Sequence, residues 1–272
     1  MPRIKIDKPR GLLRPRGIVS HHARYHPSPD LEFFVEHYWI VQWDLRGKGP
    51  YLQETLPHPS IHIVFGPGDS RIVGIVRGRF SILLKDKGGV FGIKFLPGAF
   101  YPFLESPVSR ITDKVLRIDD VFDVDVRLLE NAIMSQQDDW KMIEIAEDFL
   151  RWRLPERDEN VPAVRRIVDL IMNEPEITRV DDVARRLGLN KRAVQRLFSK
   201  YVGVSPKWVI KRYRLNEAAE QLASGRAADL SRIAVDLGYF DQAHFIKDFK
   251  SIVGKSPAEY ARSVSVDGRG QQ

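Results

Sequence analysis

Ala184-Arg185-Arg186-Leu187-Gly188 is answered, at an offset of 50, by Ala234-Val235-Asp236-Leu237-Gly238. Further along, Phe198, Gly203, Ser205 and Pro206 are answered by Phe249, Gly254, Ser256 and Pro257 at an offset of 51. The second copy therefore carries one additional residue between its turn and its second helix. A repeat of this length with glycine at a fixed place is one supersecondary unit used twice. Its reading decides the fold of the chain from Thr178 to Arg262.

Each unit predicts two helices joined by a tight turn. In the first, Val180, Val183, Ala184 and Leu187 recur at helical spacing, and Gly188 is the residue that takes positive φ at a helix end. Thr178-Arg179-Val180-Asp181 has the form of a capping box. A second helix is expected from Asn190 to Tyr201, burying Ala193, Val194, Leu197 and Phe198. That leaves Lys191, Arg192, Gln195, Arg196 and Lys200 on the other face, with no acid between them. Arg and Gln match the edges of guanine and adenine in the major groove, which the second helix of a helix-turn-helix enters. An ordinary solvated basic face would look the same in isolation; the repeat is what favours the DNA-reading interpretation.

In the second unit Asp229 is the expected N-cap, Leu230, Ile233, Ala234 and Leu237 point inward, and Gly238 makes the turn. The following helix starts near Asp241 and buries Phe245, Phe249 and Ile252, leaving Gln242, Ala243, His244 and Lys247 outward. His244 reads equally well as a donor to a base or as a plain surface histidine. Asp241 and Asp248 bring this helix close to neutral, so the first helix is expected to supply more of the attraction to DNA. Between the units, Ser205 as N-cap and Pro206 at the first helical position open a long helix to about Ala223. Its Val209, Ile210, Tyr213, Ala218 and Leu222 can pack on both units. Such a spacer holding the two second helices about one DNA turn apart, roughly 34 Å, would let one chain read two successive major-groove faces.

This pattern resembles the AraC/XylS family of transcription regulators. The resemblance rests on the paired Ala-x-x-Leu-Gly turns, Gly238-Tyr239, Phe245 with Phe249, and the closing Gly254-Lys255-Ser256-Pro257-x-x-Tyr260. It implies contacts with double-stranded DNA from Lys191, Arg192, Gln195 and Arg196 in the first unit and from Gln242, Ala243, His244 and Lys247 in the second. Two departures stand out. Arg179 occupies a place where the family usually has a small polar cap, and Ala243 cannot hydrogen-bond a base, which points to a less discriminating second site. In such regulators the N-terminal part commonly senses an effector or makes a dimer. A small effector, a second copy of the chain and RNA polymerase are therefore the further partners the resemblance suggests.

Composition agrees. The chain has 272 residues, 43% apolar and 29% charged, the balance of a globular protein long enough for two domains. Of its net charge of +7, residues 1–160 contribute nothing, with 23 Lys and Arg against 23 Asp and Glu. Residues 161–272 carry 20 against 13, so the whole excess sits on the part expected to meet phosphates. Zero cysteine removes disulfides, thiolate zinc sites and cysteine nucleophiles together. It also sets the chain apart from related DNA-repair methyl acceptors that carry a reactive cysteine. Met1 to Arg16 has no apolar core of a signal peptide, and no run approaches a membrane span, so a cytoplasmic protein without membrane contact is expected.

Residues 1–30, with five prolines and seven Lys or Arg, are expected to be a flexible basic arm. Residues 31–154 are expected to form a β-rich sensory or dimerisation domain, a sandwich or open barrel with a helical appendage. Its strands are placed at 38–43, 61–65, 71–76, 80–84 and 90–95; Glu32 to His37 could be a short helix or a strand. Trp39, Trp43, Phe95, Phe100 and Tyr101 could line a small effector pocket, and core packing explains the same aromatics equally well. Trp39 to Trp43 and Pro97-Gly98 resemble a β-rich sensory domain of some family members.

Helices capped by Asp123 and by Asp138 or Asp139 follow, the first burying Val126, Leu129 and Ile133, the second Ile143, Ala146, Phe149 and Leu150. They are a candidate surface for self-association. A linker is placed at 155–161, an all-α domain with two helix-turn-helix units at 162–263, and a disordered tail at 264–272. The fold class is thus α+β in two domains.

Chemistry is harder to find. His58 and His62 lie four apart but lack the carboxylate and third histidine of a barrel metal site, and His21, His22 and His26 have no supporting ligands. Gly88-Gly89-x-x-Gly92 is followed by no helix, and Gly254-Lys255-Ser256 has Phe249 where a phosphate loop needs glycine. No cofactor and no enzyme activity are expected. The alternative is a β-barrel enzyme or metal-binding module tethered to a DNA-binding domain; a third reading makes residues 1–155 an oligomerisation module only.

Overall fold

A computed structural model describes residues 12–13, 19–223 and 230–262. The strands are β1 (Leu12–Leu13), β2 (Val19–Tyr25), β3 (Val35–Asp44), β4 (Tyr51–Thr55), β5 (His62–Phe65), β6 (Arg71–Val73), β7 (Phe80–Leu84), β8 (Lys87–Phe95) and β9 (Val115–Leu116). Six of them form one sheet in the order β2-β3-β8-β5-β6-β9, and β1, β4 and β7 form a second, with antiparallel pairing throughout.

Strand periodicity separates the two faces of the larger sheet. Register brings Tyr38 opposite Ile93, Ile40 opposite Phe91 and Ile63 opposite both Ile93 and Ile72, all nearly sealed from solvent. The other face pairs Arg24 with Trp39, Trp39 with Gly92, and His62 with Lys94. One face is therefore core and the other polar and half-buried.

The helices are α1 (Tyr101–Leu104), α2 (Val126–Met134), α3 (Asp139–Trp152), α4 (Asn160–Asn173), α5 (Val180–Leu187), α6 (Lys191–Leu197), α7 (Pro206–Ala223), α8 (Leu230–Asp236) and α9 (Gln242–Val253). α3 closes the apolar face: Phe149 meets Phe65 edge-on at 6.3 Å and Phe122 at 4.8 Å. Asp138 caps α3, accepting from the Trp140 amide at 2.9 Å. The cap of α2 is Asp125, not the expected Asp123, and it accepts from the Arg127 and Leu128 amides.

Several N-terminal boundaries need correction. Residues 19–25, expected to belong to a flexible arm over 1–30, are instead a strand, because β2 pairs along β3 and buries Ala23 and Tyr25, and Leu12–Leu13 pair with β4. The polar alternate residues of β2 hid the strand. β4 and β9 were not expected either, and the strand placed at 71–76 stops at Val73. Between Asp30 and Phe34 the chain turns, and strand begins at Val35. Most of the expected arm, the expected cap Asp229 and the tail at 264–272 lie outside the described residues.

The stretch expected to be a linker is anchored. Asp158 accepts the Tyr201 hydroxyl at 2.8 Å, and α4 begins at Asn160 with Val161 wholly buried. One continuous apolar core runs from the large sheet through α4 and the first helix-turn-helix unit to Ile210. A second core gathers the C-terminal half of α7 and the second unit, together with Leu56 from the β-rich part. The two-domain α+β architecture holds, with an interface that is packed.

Candidate nucleic-acid interface

α6 is built as the spacing requires. Val194 and Phe198, four apart, are buried, so Lys191, Arg192, Gln195 and Arg196 face solvent. Asn190 accepts from the Arg192 amide at 2.8 Å, a cap worth about 1 kcal/mol. The turn before it is held by Gly188 at φ 64, and Gly238 repeats that geometry at φ 75. Before α5, the expected capping box is shifted by one: Asp182, not Asp181, accepts from the Arg179 amide at 2.9 Å. Asp181 instead pairs with Lys191 at 2.9 Å, an exposed bridge of small energetic value that a phosphate could displace.

Lys200 lies elsewhere. Beyond Leu197 the chain winds into a π-helical stretch, Phe198–Val202, closed by the Gly203 amide donating to the Phe198 carbonyl at 2.7 Å. The wider turn aims Lys200 at the β-rich part, with its ammonium 4.6 Å from the Tyr101 ring centroid and 5.2 Å from that of Tyr201. Such a contact is worth about 0.5–1 kcal/mol at an exposed site. The structure therefore separates Lys200 from the row formed by the other four.

α9 presents Gln242, Ala243, His244 and Lys247 outward, over Phe245 and Phe249, which are fully buried and 5.7 Å apart edge-on. Asp241 is the cap, its exposed carboxylate accepting from the His244 amide at 2.7 Å. His244 is about half exposed; its Nε2 lies 3.4 Å from Asp248, and its ring stands edge-on to Tyr239 at 5.2 Å. Asp248 also receives Lys211 of α7 at 2.6 Å, tying the second unit to the rod. Phe240, which sequence reasoning did not single out, is 97% exposed directly before the cap.

α7 joins the two units through its 18 residues, about 27 Å at 1.5 Å per residue. Val209 and Ile210 belong to the first core, and Leu215, Ala218 and Leu222 to the second. Arg212, only 3% exposed, donates from Nε to the Pro57 carbonyl at 2.6 Å and lies 3.2 Å from His58 Nδ1. Trp208 Nε1 donates to the Arg77 carbonyl at 3.2 Å, and Thr112 Oγ1 to the Gly203 carbonyl at 2.7 Å. The β-rich part thus grips the rod itself. Nothing in a helical burial pattern announces which strand loop an inward arginine will meet.

The five aromatics proposed to line an effector pocket are not brought together. Phe95 and Phe100 stack edge-on at 4.8 Å within the sealed core. Trp39 lies on the opposite face of the sheet: a Cβ added at Gly92 would stand 2.0 Å from its ring. Trp43 covers Gly88 and donates to the Lys85 carbonyl at 3.0 Å. Tyr101 packs on Tyr201 with centroids 4.5 Å apart, at the junction with the helical part. Alternation along β3 and β8 is what divides them.

His58 and His62 are occupied as structural groups, His58 by Arg212 and His62 Nδ1 by the Trp39 indole at 3.2 Å. Among the described residues no cluster of three or more His, Cys, Asp or Glu is placed to hold a metal ion. Burial, helped by Lys94 and His37, pulls the His62 imidazole down to about 3. Its unfolded value is about 6.5, so the stability it contributes is complete above that value and erodes as pH falls toward 3. Thermal unfolding followed from pH 7 to pH 5 is expected to show a falling midpoint, with a shallower fall in His62→Gln. Equal slopes would remove His62 from the account.

Comparison with known proteins agrees with this geometry. Residues 183–263 match the family described as "Helix-turn-helix domain", and residues 23–117 match "Domain of unknown function (DUF6597)". The HTH-type transcriptional activator AarP of Providencia stuartii is 40% identical over 86 residues, covering 31% of this chain and 62% of that protein. An uncharacterized HTH-type transcriptional regulator of Haemophilus influenzae is 31% identical over 97 residues, 35% of this chain and 32% of that one. A solved transcriptional regulator of Chromobacterium violaceum, described as having an AraC-type DNA-binding domain, is 26% identical with a TM-score of 0.35. That match covers 38% of this chain and 93% of the other. Residues 183–263 carry a helix-turn-helix domain of the AraC type. The chain spans less than two thirds of AarP and about a third of the Haemophilus protein. No helix among the described residues is long and apolar enough to cross a membrane.

Proposed function

We propose that this chain is a sequence-specific transcription regulator that lays α6 and α9 into successive major-groove faces of one duplex. The reading is supported by one observation above all: two capped helices with outward polar faces are rooted in opposite ends of a single rod. Arg192, Gln195 and Arg196 read bases in the first groove, and Lys191 exchanges Asp181 for a phosphate. Gln242, Ala243, His244 and Lys247 face the second groove. The basic excess of residues 161–272 supplies the sequence-independent attraction.

In this proposal the β-rich part modulates binding, by a small effector or by pairing with a second copy, because it grips α7 at Arg212 and Trp208. A cleft of about 450 Å³ lies between Phe33 and Glu36 on one side and Arg157 and Arg165 on the other. An effector seated there would touch the sheet and α4 together. RNA polymerase is the partner through which such a regulator acts on transcription.

The test is selection of duplexes from a random pool by the full chain, followed by fluorescence anisotropy at several salt concentrations. Enrichment of a motif with two elements about one turn apart, roughly 10 base pairs, is the expected result. Binding that is indifferent to sequence at every salt concentration would overturn the proposal.

A further inference from the structure

The extra residue of the second unit can be identified in the structure. Leu189 donates its amide to the Ala184 carbonyl at 2.9 Å, and Tyr239 donates to the Ala234 carbonyl at the same distance. Leu189 and Tyr239 are therefore equivalent positions in the two turns. After Leu189 the cap Asn190 follows at once; after Tyr239 the chain inserts Phe240 and only then reaches the cap Asp241.

Tyr239 does the packing expected of that position, with its ring 5.5 Å from Phe245 and 5.2 Å from His244. Phe240 does none: it is 97% exposed, the most exposed of the large apolar side chains among the described residues. A lone surface apolar residue is ordinary in itself. This one stands at the N-terminal edge of α9, the end at which a recognition helix meets base edges. Its neighbours decide what it could meet there. The Asp241 carboxylate is exposed but engaged as the cap of α9, accepting from the His244 amide at 2.7 Å. Ala243, also exposed, is the second apolar group of the same end, beside Gln242.

An apolar side chain reads one feature of the major groove, the C5-methyl group of thymine. We infer that Phe240, with Ala243 beside it, reads thymine methyl groups in the second groove, giving that site a sequence preference that hydrogen bonding from Ala243 cannot give. The inference rests on the proposal that α9 enters a major groove. It replaces the expectation of a merely less discriminating second site with one that discriminates by apolar contact.

The experiment uses the full chain and a duplex that it selects from a random pool. Each thymine of the second element is replaced in turn by deoxyuridine, which removes the methyl group and keeps the hydrogen-bonding edge. For the unmodified chain, one or two replacements are expected to weaken binding about three- to tenfold. Phe240→Ala is expected to bind the thymine duplex more weakly by a similar factor and to lose the response to those replacements; Phe240→Leu retains part of it. Circular dichroism of Phe240→Ala should match the parent, since the side chain supports no packing.

A Phe240→Ala chain that binds with undiminished affinity, or that stays as methyl-sensitive as its parent, overturns the inference. So does a weakened variant whose parent is insensitive to every deoxyuridine, which would place Phe240 against sugar or phosphate. Unchanged binding with lost transcription in a reconstituted assay would make Phe240 a protein contact and likewise overturn it. In each of these cases α9 still reads DNA. If the parent chain selects no sequence at all, the proposed function itself fails.

Discussion

Arg196→Ala is expected to bind a selected duplex about 1–3 kcal/mol more weakly than the parent, roughly 5- to 150-fold, with sequence preference relaxed at one position. The magnitude follows from where the side chain stands. Arg196 is exposed on the face of α6 opposite Val194 and Phe198, so its removal leaves the core intact. A bidentate guanidinium on guanine is the commonest specific contact in the major groove, and its loss leaves the base edge without a partner. Thermal unfolding should therefore be unchanged while affinity falls. Lys200→Ala serves as the contrast: its ammonium rests on Tyr101, so the salt dependence of binding should keep its slope. Retained preference at every position of the motif in Arg196→Ala, or a flattened salt slope in Lys200→Ala, would show that the outward face of α6 has been misread.

The helical part was legible because each of its signals is local. Glycines at φ 64 and φ 75 fall where the repeated Leu-Gly pairs stand, and Asn190 and Asp241 cap the helices that follow them. The additional residue of the second unit could be counted from the offset, although its exposure could not. Lys200 fails for a reason of geometry. A helical wheel at 3.6 residues per turn assumes that α6 continues to Tyr201, whereas the π-helical stretch from Phe198 rotates the positions beyond it.

In the N-terminal part the information is non-local. β2 alternates histidines and arginine with Ala23 and Tyr25, and only its pairing with β3 shows which set is inward. The aromatic pocket failed likewise. Trp39 and Phe95 belong to strands that are paired, but their opposite faces follow from a register that no single strand carries. The grip of Pro57 on Arg212 joins positions 155 residues apart, beyond the reach of any periodicity.

That interface makes Gly203→Ala the substitution expected to cost most among the turn glycines of the helical part. Gly203 sits at φ 90 between the π-helical end of the first unit and the start of α7. A Cβ there would stand 2.9 Å from both Val108 Cγ1 and Thr112 Oγ1, and 3.0 Å from the Val108 carbonyl oxygen. Thr112 is held in place by its 2.7 Å bond to the Gly203 carbonyl, so relief requires the two parts of the chain to move apart. A left-handed backbone costs an L-residue about 1–2 kcal/mol, and displacing packed neighbours adds about 1–3 kcal/mol. The sum, about 2–5 kcal/mol, corresponds to a midpoint lowered by roughly 4–20 °C for a chain of this size. Gly188→Ala isolates the backbone contribution, because at φ 64 its added Cβ meets nothing within 4 Å. It should cost only about 1–2 kcal/mol. Partial proteolysis should separate the two further: Gly203→Ala loosens the seam between the β-rich part and α7 and becomes cleavable there, while Gly188→Ala does not. Equal midpoints for the two variants would mean that the contact between Val108, Thr112 and Gly203 yields without cost. The β-rich part would then be loosely seated on the rod, and its proposed influence on α6 and α9 would lose its mechanical basis.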